Sequence, residues 1–347
     1  MKLMSWNIEY MNRRYEPDQE GPVKRRTRAT GISDVDGLAK RVAQVIKDID
    51  PDVLAIQEGP SRRDEMADFV ANYLEDAYDS VGPAGKGQQK LFFLIKQSGA
   101  VAEYSRLTLA GDGDTIVDLG DAFPADIHGD QVPVDYDFTR PPLVVEVTDQ
   151  NGETTYILNM HAKSKYIHNG HSLWNTDRKT FIRQALLARR RISAEAARVR
   201  TFVNALFGPD YMHCGSPGAG DGPRIAVLGD LNDGPGQDLF ERVYLTHNVI
   251  AAIAGSPFQP RRMLRHAFID RVNKEDNFTY RFDDFIDEIA DRPVLLDHIL
   301  LSAALYFRAL QTAGVAHDAF NAQIRPDLPG KNEQLPSDHR PVFAEIG

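Results

Sequence analysis

The chain has a single cysteine, Cys214, in 347 residues, so no disulfide can form within it. That rules out a disulfide-stapled scaffold and fits a reducing compartment. Long apolar runs are missing too. The longest, such as "LFFLI" and "VIAAIA", have five or six residues, far short of the roughly 20 that cross a bilayer. The opening "MKLMSWNIEY" goes directly into a strand-like pattern, without the apolar stretch and small-residue site of a secretory signal. A cytoplasmic protein with no membrane insertion and no evident protein partner is expected. Excess positive charge is also absent: 40 Lys and Arg against 50 Asp and Glu give 40 − 50 = −10. A chain that held nucleic acid by charge alone would be basic. An enzyme that meets phosphate through a metal need not be, because the metal's acidic ligands add to the negative total.

Several familiar signatures are lacking. No GxxxxGK[ST] loop for nucleotide phosphates and no HExxH zinc motif occurs. The acidic "GDGDTIVDLGDAF" in 111–137 has Ile116 at the fifth EF-hand position and no Glu at the twelfth, so it reads as a surface insertion. Cys214 sits in the loop "GPDYMHCGSPGAGDGP" with no sign of activation as a nucleophile. There is no internal repeat and no low-complexity linker.

What remains is an alternation of apolar strands and helices in a chain long enough to bury a large core. Strands are predicted at Lys2–Trp6, Val53–Ile56, Leu91–Ile95, Leu143–Val147, Thr155–Met160, Ile225–Leu228, Leu295–Leu301 and Pro341–Ile346. Leu38, Val42, Val45 and Ile49 line one face of a helix over 37–49, with Asp36 as its N-cap. Residues 178–207 form the longest helical pattern. Its outer faces carry Arg178, Lys179, Arg183, Arg189, Arg190, Arg191, Arg198 and Arg200, which read as a solvated, ion-paired surface in preference to a phosphate site. The order of elements predicts a large layered α/β protein.

One feature repeats: an apolar strand ends and a residue able to hold metal or phosphate follows. "KLMSW" precedes Asn7 and Glu9, "DVLAI" precedes Gln57 and Glu58, "TYILNM" precedes His161, and "RIAVL" leads to Asp230 and Asn232. Asp297 and His298 interrupt "VLLDHILL" in mid-strand, and Asp338 and His339 precede the final strand. Taken singly, an acid in such a place is more often a turn former or helix cap. A carboxylate inside an apolar strand, however, is costly without a partner, and six such positions in one chain exceed what turns account for. If the strand ends converge, they build an oxygen-rich pocket suited to Mg²⁺ or Mn²⁺, with imidazole for proton transfer or for a hydrogen bond to phosphoryl oxygen.

"SWNIE", "AIQE", "FTRPP", "NMHAKS", "LGDLND", "LLDHIL" and "PSDHRPV", in this order from residue 5 to residue 342, resemble the endonuclease/exonuclease/phosphatase superfamily of deoxyribonuclease I-like proteins. The resemblance implies a four-layer α/β/β/α sandwich of two mixed sheets with outer helices. It implies one domain over 1–347, with surface insertions near 10–36, 111–137 and 258–292. It also implies a Mg²⁺ (or Mn²⁺) ion held by Glu58, Asn7 and Asp338, with Glu9 supporting through water. Asp230 and Asn232 would position and activate the attacking water. His339 would be a general base or phosphate donor oriented by Asp297, and His161 a donor or acid. Arg140 would bind substrate phosphate. Lys163 is a further candidate contact, as are His168 and His171, though "HNGH" fits a turn at Asn169–Gly170 better.

The function so implied is a metal-dependent phosphoesterase, foremost a nuclease with DNA or RNA as substrate. The alternative is a phosphodiesterase or phosphatase acting on a lipid headgroup or small phosphate ester, which the acidity of the chain favours. A catalytically silent protein on this fold is disfavoured, because every implied catalytic position is filled.

Overall fold

The computed structural model describes residues 1–16, 21–24, 32–85, 87–111, 116–208, 222–236 and 238–347. Cys214 lies outside them, as does most of the loop around it and part of the stretches 10–36 and 111–137.

Two six-stranded mixed sheets make the frame. The first contains β1 (Lys2–Asn7), β2 (Val53–Gly59), β3 (Tyr78–Ala84), β4 (Lys90–Lys96), β17 (Leu310–Val315) and β18 (Val342–Ile346), in the order β17-β18-β1-β2-β4-β3. The second contains β5 (Val101–Leu107), β10 (Leu143–Asp149), β11 (Thr154–His161), β12 (Arg224–Asp230), β13 (Arg265–His266) and β16 (Asp297–Leu301), in the order β13-β16-β12-β11-β10-β5. Each sheet has one parallel pair at its centre, β1 with β2 and β11 with β12. Short ribbons pair β6 (Leu109–Ala110) with β7 (Val117–Asp118), β8 (Phe123–Ala125) with β9 (Val134–Tyr136), and β14 (Tyr280–Asp284) with β15 (Ile289–Val294).

Three apolar layers hold the sheets and helices together. Between the sheets, Leu3, Ala55, Phe93 and Ile95 meet Val145, Ile157, Leu228 and Ile299. On the outer face of the first sheet, Met4, Trp6 and Leu54 pack on α1 (Val35–Ile49) and α2 (Arg63–Tyr73) through Val42, Ile46 and Phe69. Behind the second sheet, Leu158, Met160, Ile225 and Val227 pack on Ile192, Val199 and Phe202 of a 30-residue helix. This layer also takes Val249 and Ile253 of a six-residue one. In chain order the remaining helices are α3 (Gly170–Thr176), the long α4 (Arg178–Phe207), α5 (Leu239–Tyr244), α6 (Val249–Ala254) and α7 (His317–Asn321), with a single turn, α8, at Lys331–Gln334. The architecture is the expected four-layer sandwich of two mixed sheets with outer helices.

Three local expectations change. The first helix is capped by Asp34, whose carboxylate accepts from Gly37 N at 2.8 Å, and not by Asp36, which pairs with Lys40 at 2.8 Å. Asp297 does not interrupt a strand: β15 ends at Val294, and Asp297 is the first residue of β16, where pairing with β12 begins. Nor is 111–137 wholly superficial. Val117, Leu119, Phe123, Ile127 and Tyr136 are buried against the second sheet and α4, because alternate residues of the short ribbons are apolar and find that face.

The long helix begins and ends at the predicted residues. Its arginines are mostly spent on backbone carbonyls and one acid. Arg190 donates to His128 O at 2.5 Å, Arg198 to Asp118 O at 2.7 Å and Arg200 to Arg262 O at 2.7 Å, while Arg189 pairs with Asp238. No helix among the described residues is long and apolar enough to cross a membrane.

Candidate active site

Strand register brings the polar residues together. Asn7 pairs with Gln57 where β1 and β2 run out in parallel, His161 pairs with Asp230 where β11 and β12 do, and Asp230 pairs with Asp297 at the start of β16. Ser5 pairs with Val342, so the turn holding Asp338 and His339 lies at the same rim. Gly229 makes the approach possible: a Cβ there would lie 1.8 Å from Met160 O. At or just beyond the strand ends Glu9, Tyr10, Glu58 and Asn232 adopt positive φ of 28–55°, strain of the sort found where a site dictates the backbone.

Asp230 sits at the centre. Its Oδ2 accepts from Asn7 Nδ2 at 3.0 Å and lies 3.4 Å from His161 Nε2 and 4.0 Å from His339 Nε2. Its Oδ1 accepts from Asn232 N at 2.8 Å, and Asn232 Nδ2 is held by Ala162 O at 3.0 Å. Burial pushes Asp230 up to about 7. The Asp297 charge adds to this, and His339, Asn232 and Asn7 oppose it.

His339 Nδ1 meets Asp297 Oδ2 at 2.7 Å. Burial works against a charge on this imidazole, but Asp297, Asp230 and Asp338 outweigh it and hold the pKa well above the usual value. His161 goes the other way: burial, then Arg140 and His339, hold it well below the usual value, so it is neutral at pH 7. Asp297 Oδ1 and His161 Nδ1 are buried without a protein partner.

Asn7, Glu9, Glu58 and Asp338 form the second half of the site. Glu58 Oε2 accepts from Tyr10 N at 2.9 Å and from Gln89 Nε2 at 2.6 Å, while Oε1 lies 4.0 Å from His161 Nε2. Asn7 Oδ1 accepts from Glu9 N at 3.1 Å. Glu9 is raised to about 7 by burial, then by Asp338 and Glu58. Asp338 is raised by burial and, against the pull of His339, by Glu58 and Asp297. Buried acids whose pKa neighbouring carboxylates raise, as at Glu9 and Asp338, are those that a hard dication would relieve. An all-oxygen set of this kind fits Mg²⁺ or Mn²⁺.

Asp230, Asp297 and His339 also place one ligand atom each within 4.8 Å of one another. His339 and Asp297 already hydrogen-bond to each other, so this group reads better as an acid beside an Asp–His pair than as an open coordination set.

Arg140 donates to Gln89 Oε1 at 3.2 Å, to Ala162 O at 3.2 Å and to His161 O at 3.4 Å, which aims the guanidinium along the His161 side. Lys163 N is bound by Glu195 Oε2 at 2.8 Å. Lys165, two residues on, is paired with Asp233. His168 and His171 lie at the Asn169–Gly170 turn, which has φ 55° at Asn169 and opens α3. His171 packs on Phe285 at 5.3 Å.

Sequence reasoning missed four contributors. Gln89 links Glu58 to Arg140 from a loop with no motif. Tyr280 lays its ring 4.9 Å from that of His339, and nothing in an insertion without a signature announces it. Glu195 is one acid among the many charges of α4. Asn159 is the fourth, forming with the already noted Gln57 a buried floor between the sheets, Gln57 Nε2 donating to Asn159 Oδ1 at 2.7 Å and Asn159 Nδ2 to Ile56 O at 3.0 Å. Here a signal existed: both are amides within apolar strands.

The sequence profile of the Endonuclease/Exonuclease/phosphatase family matches residues 4–339. No curated protein matches the chain. Among solved structures it is similar to an endonuclease/exonuclease/phosphatase family protein from Bacteroides thetaiotaomicron (15% identity, 100% of this chain and 97% of that one, TM-score 0.52). It is also similar to D. rerio TDP2 complexed with a single strand DNA product (12%, 100% and 98%, 0.50). A third match is a mannosyl-6-phosphatase from Bacteroides thetaiotaomicron (14%, 100% and 99%, 0.51).

Proposed function

The chain belongs to the endonuclease/exonuclease/phosphatase family, and from that premise we propose that it is a Mg²⁺- or Mn²⁺-dependent nuclease that hydrolyses phosphodiester bonds by attack of an activated water. The observation that carries this reading is the environment of Asp230. A carboxyl raised to about 7 is tethered by Asn7 and Asn232 beside a charged Asp297–His339 pair and a neutral His161. A base with its pKa near the working pH is the efficient choice for deprotonating water.

In this mechanism Asn7, Glu58 and Asp338 would hold the metal, with Glu9 behind them. The ion, when bound, polarises a phosphoryl oxygen and is worth several kcal/mol of charge stabilisation. Asp230 and Asn232 hold the water, and its proton passes to Asp230 as its oxygen bonds phosphorus. Of the two roles open to His339, donor and not base is the one its raised pKa favours: Nε2–H faces the developing charge while Asp297 fixes the tautomer. Neutral His161 offers a hydrogen bond without adding charge. Arg140 binds a non-bridging oxygen in a fixed orientation. The leaving oxygen departs in line, opposite the water.

A second reading, a phosphatase or phosphodiesterase acting on a small ester or lipid headgroup, is favoured by the β14–β15 ribbon. Next to Tyr280 its acids outnumber its arginines: Asp287 and Asp291 pair with Arg292 and Arg281, and exposed Asp283 and Glu288 add negative charge that would repel a long polyanion. The solved neighbours include a complex with a DNA product and a sugar phosphatase, so the fold admits both. The test is incubation with plasmid, single-stranded DNA, RNA, bis-p-nitrophenyl phosphate and p-nitrophenyl phosphate, with Mg²⁺, Mn²⁺ or EDTA. Metal-dependent cleavage of a polynucleotide is expected. Turnover of only the small esters would replace the nuclease with the second reading, and turnover undiminished in EDTA would remove the metal.

A further inference from the structure

Of three consecutive arginines on α4, two are spent. Arg189 pairs with Asp238 and Arg190 donates to His128 O at 2.5 Å. Arg191 has no ion pair or hydrogen bond among the described residues, and its Nε is buried without a partner. The Lys163 ammonium is likewise unpaired among them. Both belong to one neighbourhood, because Glu195, a helical turn beyond Arg191, grips the Lys163 backbone at 2.8 Å. Each oxygen of that carboxylate is already engaged: Oε2 serves Lys163 N and Oε1 accepts from Tyr136 OH at 3.0 Å. Arg140 approaches from the other side, bonded to the carbonyl of Ala162, the residue before Lys163.

A half-buried cation with no direct ion pair, sharing the nearby charge of Glu195 with Arg140, is an unusual find in a chain of net charge −10. Burial, then Arg140 and Arg191, with Glu195 opposing, pull the Lys163 ammonium below its usual value. The three cations therefore act on one another with too little anion between them, which is the condition a bound dianion relieves.

We infer that Lys163 and Arg191, flanked by Arg140, form a second phosphate subsite beside the reaction centre, one that takes the phosphate neighbouring the bond to be cut. This rests on the hydrolase reading above and narrows it to substrates carrying two phosphates, as oligonucleotides do. Arg140 then stands between the scissile phosphate and its neighbour. The neighbouring group can be a terminal monophosphate or a second internucleotide linkage, since both present non-bridging oxygens to a guanidinium.

The experiment compares TpT, pTpT and TpTpT as substrates for the wild-type protein, Arg191→Gln and Arg191→Lys. It also measures binding of fluorescently labelled oligothymidylate in EDTA as a function of salt. Wild type is expected to prefer a two-phosphate substrate over TpT by about tenfold or more in kcat/KM, the scale of one charge-assisted contact. pTpT and TpTpT separate the terminal from the internal phosphate. Arg191→Gln is expected to erase most of that preference through KM, and Arg191→Lys to restore part of it. The slope of log affinity against log salt should fall by about 0.7 in Arg191→Gln, one phosphate contact on a single strand. Equal losses on all three substrates, or no change in preference and salt slope, would overturn the subsite and leave the hydrolase reading intact. If wild type hydrolyses none of the three but the salt slope falls as stated, the subsite stands and the nuclease reading fails.

Discussion

At the scale of single residues, Asp230 makes the sharpest demand. Its carboxyl is useful as a base only when ionised, and burial lifts its pKa to about 7. Activity limited by this group is therefore lost below about pH 7 and present above it. His339 works as a donor only when charged, and its pKa is held well above the usual value, so it does not cut activity at neutral pH. The kcat/KM profile of the metal-saturated protein should rise through about pH 7 and fall only in the alkaline range. Asp230→Asn should remove the acidic limb and lower kcat by about 10²–10⁴-fold; a pH–rate titration of both proteins checks this. An unaltered limb in the variant would assign the base elsewhere. The candidate residues were legible because carboxylates and imidazoles at strand ends are out of place as core residues, and roles for them came only through the family resemblance. Gln89 and Tyr280 were not, because an amide in a loop and a tyrosine in an insertion look the same in sequence whether or not they touch a site.

At the scale of elements, the strands and the long helix could be read from apolar periodicity; the long helix matched at both ends, and strand ends were off by up to three residues. The miss at Asp297 has a physical cause. The apolar run "VLLDHILL" spans the end of β15 and the start of β16, and periodicity cannot see which partner a residue pairs with. The ribbon β14–β15 had no sequence signal, yet it supplies the ring over His339. Tyr280→Ala should open that face to water and weaken the charged imidazole's fixed geometry. A fall in kcat of about tenfold with little change in melting temperature is expected, since Tyr280 is only partly buried. Phe93→Ala serves as the contrast. Phe93 is fully buried between the sheets, and its loss should cost about 3–5 kcal/mol of stability in urea unfolding.

For the molecule as a whole, the layered class followed from the order of elements, and the convergence of seven separated motifs on one rim followed only through the family resemblance. Nothing in periodicity says that β1 lies beside β18, or that two sheets stack so that Asn7 meets Asp230. The acidic pocket these contacts build should behave as a ligand site even without substrate. Mn²⁺ at 100 times its dissociation constant should stabilise the protein by about 2.7 kcal/mol, seen as a rise in melting temperature that EDTA reverses. Glu58→Gln should reduce that rise strongly. A metal-independent melting temperature in the wild-type protein would remove the cation from Asn7, Glu58 and Asp338.

The place of β18 also bears on biosynthesis. This strand pairs with both β17 and β1, and the turn that presents Asp338 and His339 is docked by Ser337 Oγ on Asn7 O at 2.7 Å and by Trp6 Nε1 on His339 O at 2.8 Å. A ribosome making this chain emits the first strand long before its neighbour, and contacts so distant in sequence form slowly. The nascent polypeptide can thus form its helices and most of its strands before His339 is translated. Closure of the candidate site therefore waits on pairing between parts of the chain more than 300 residues apart.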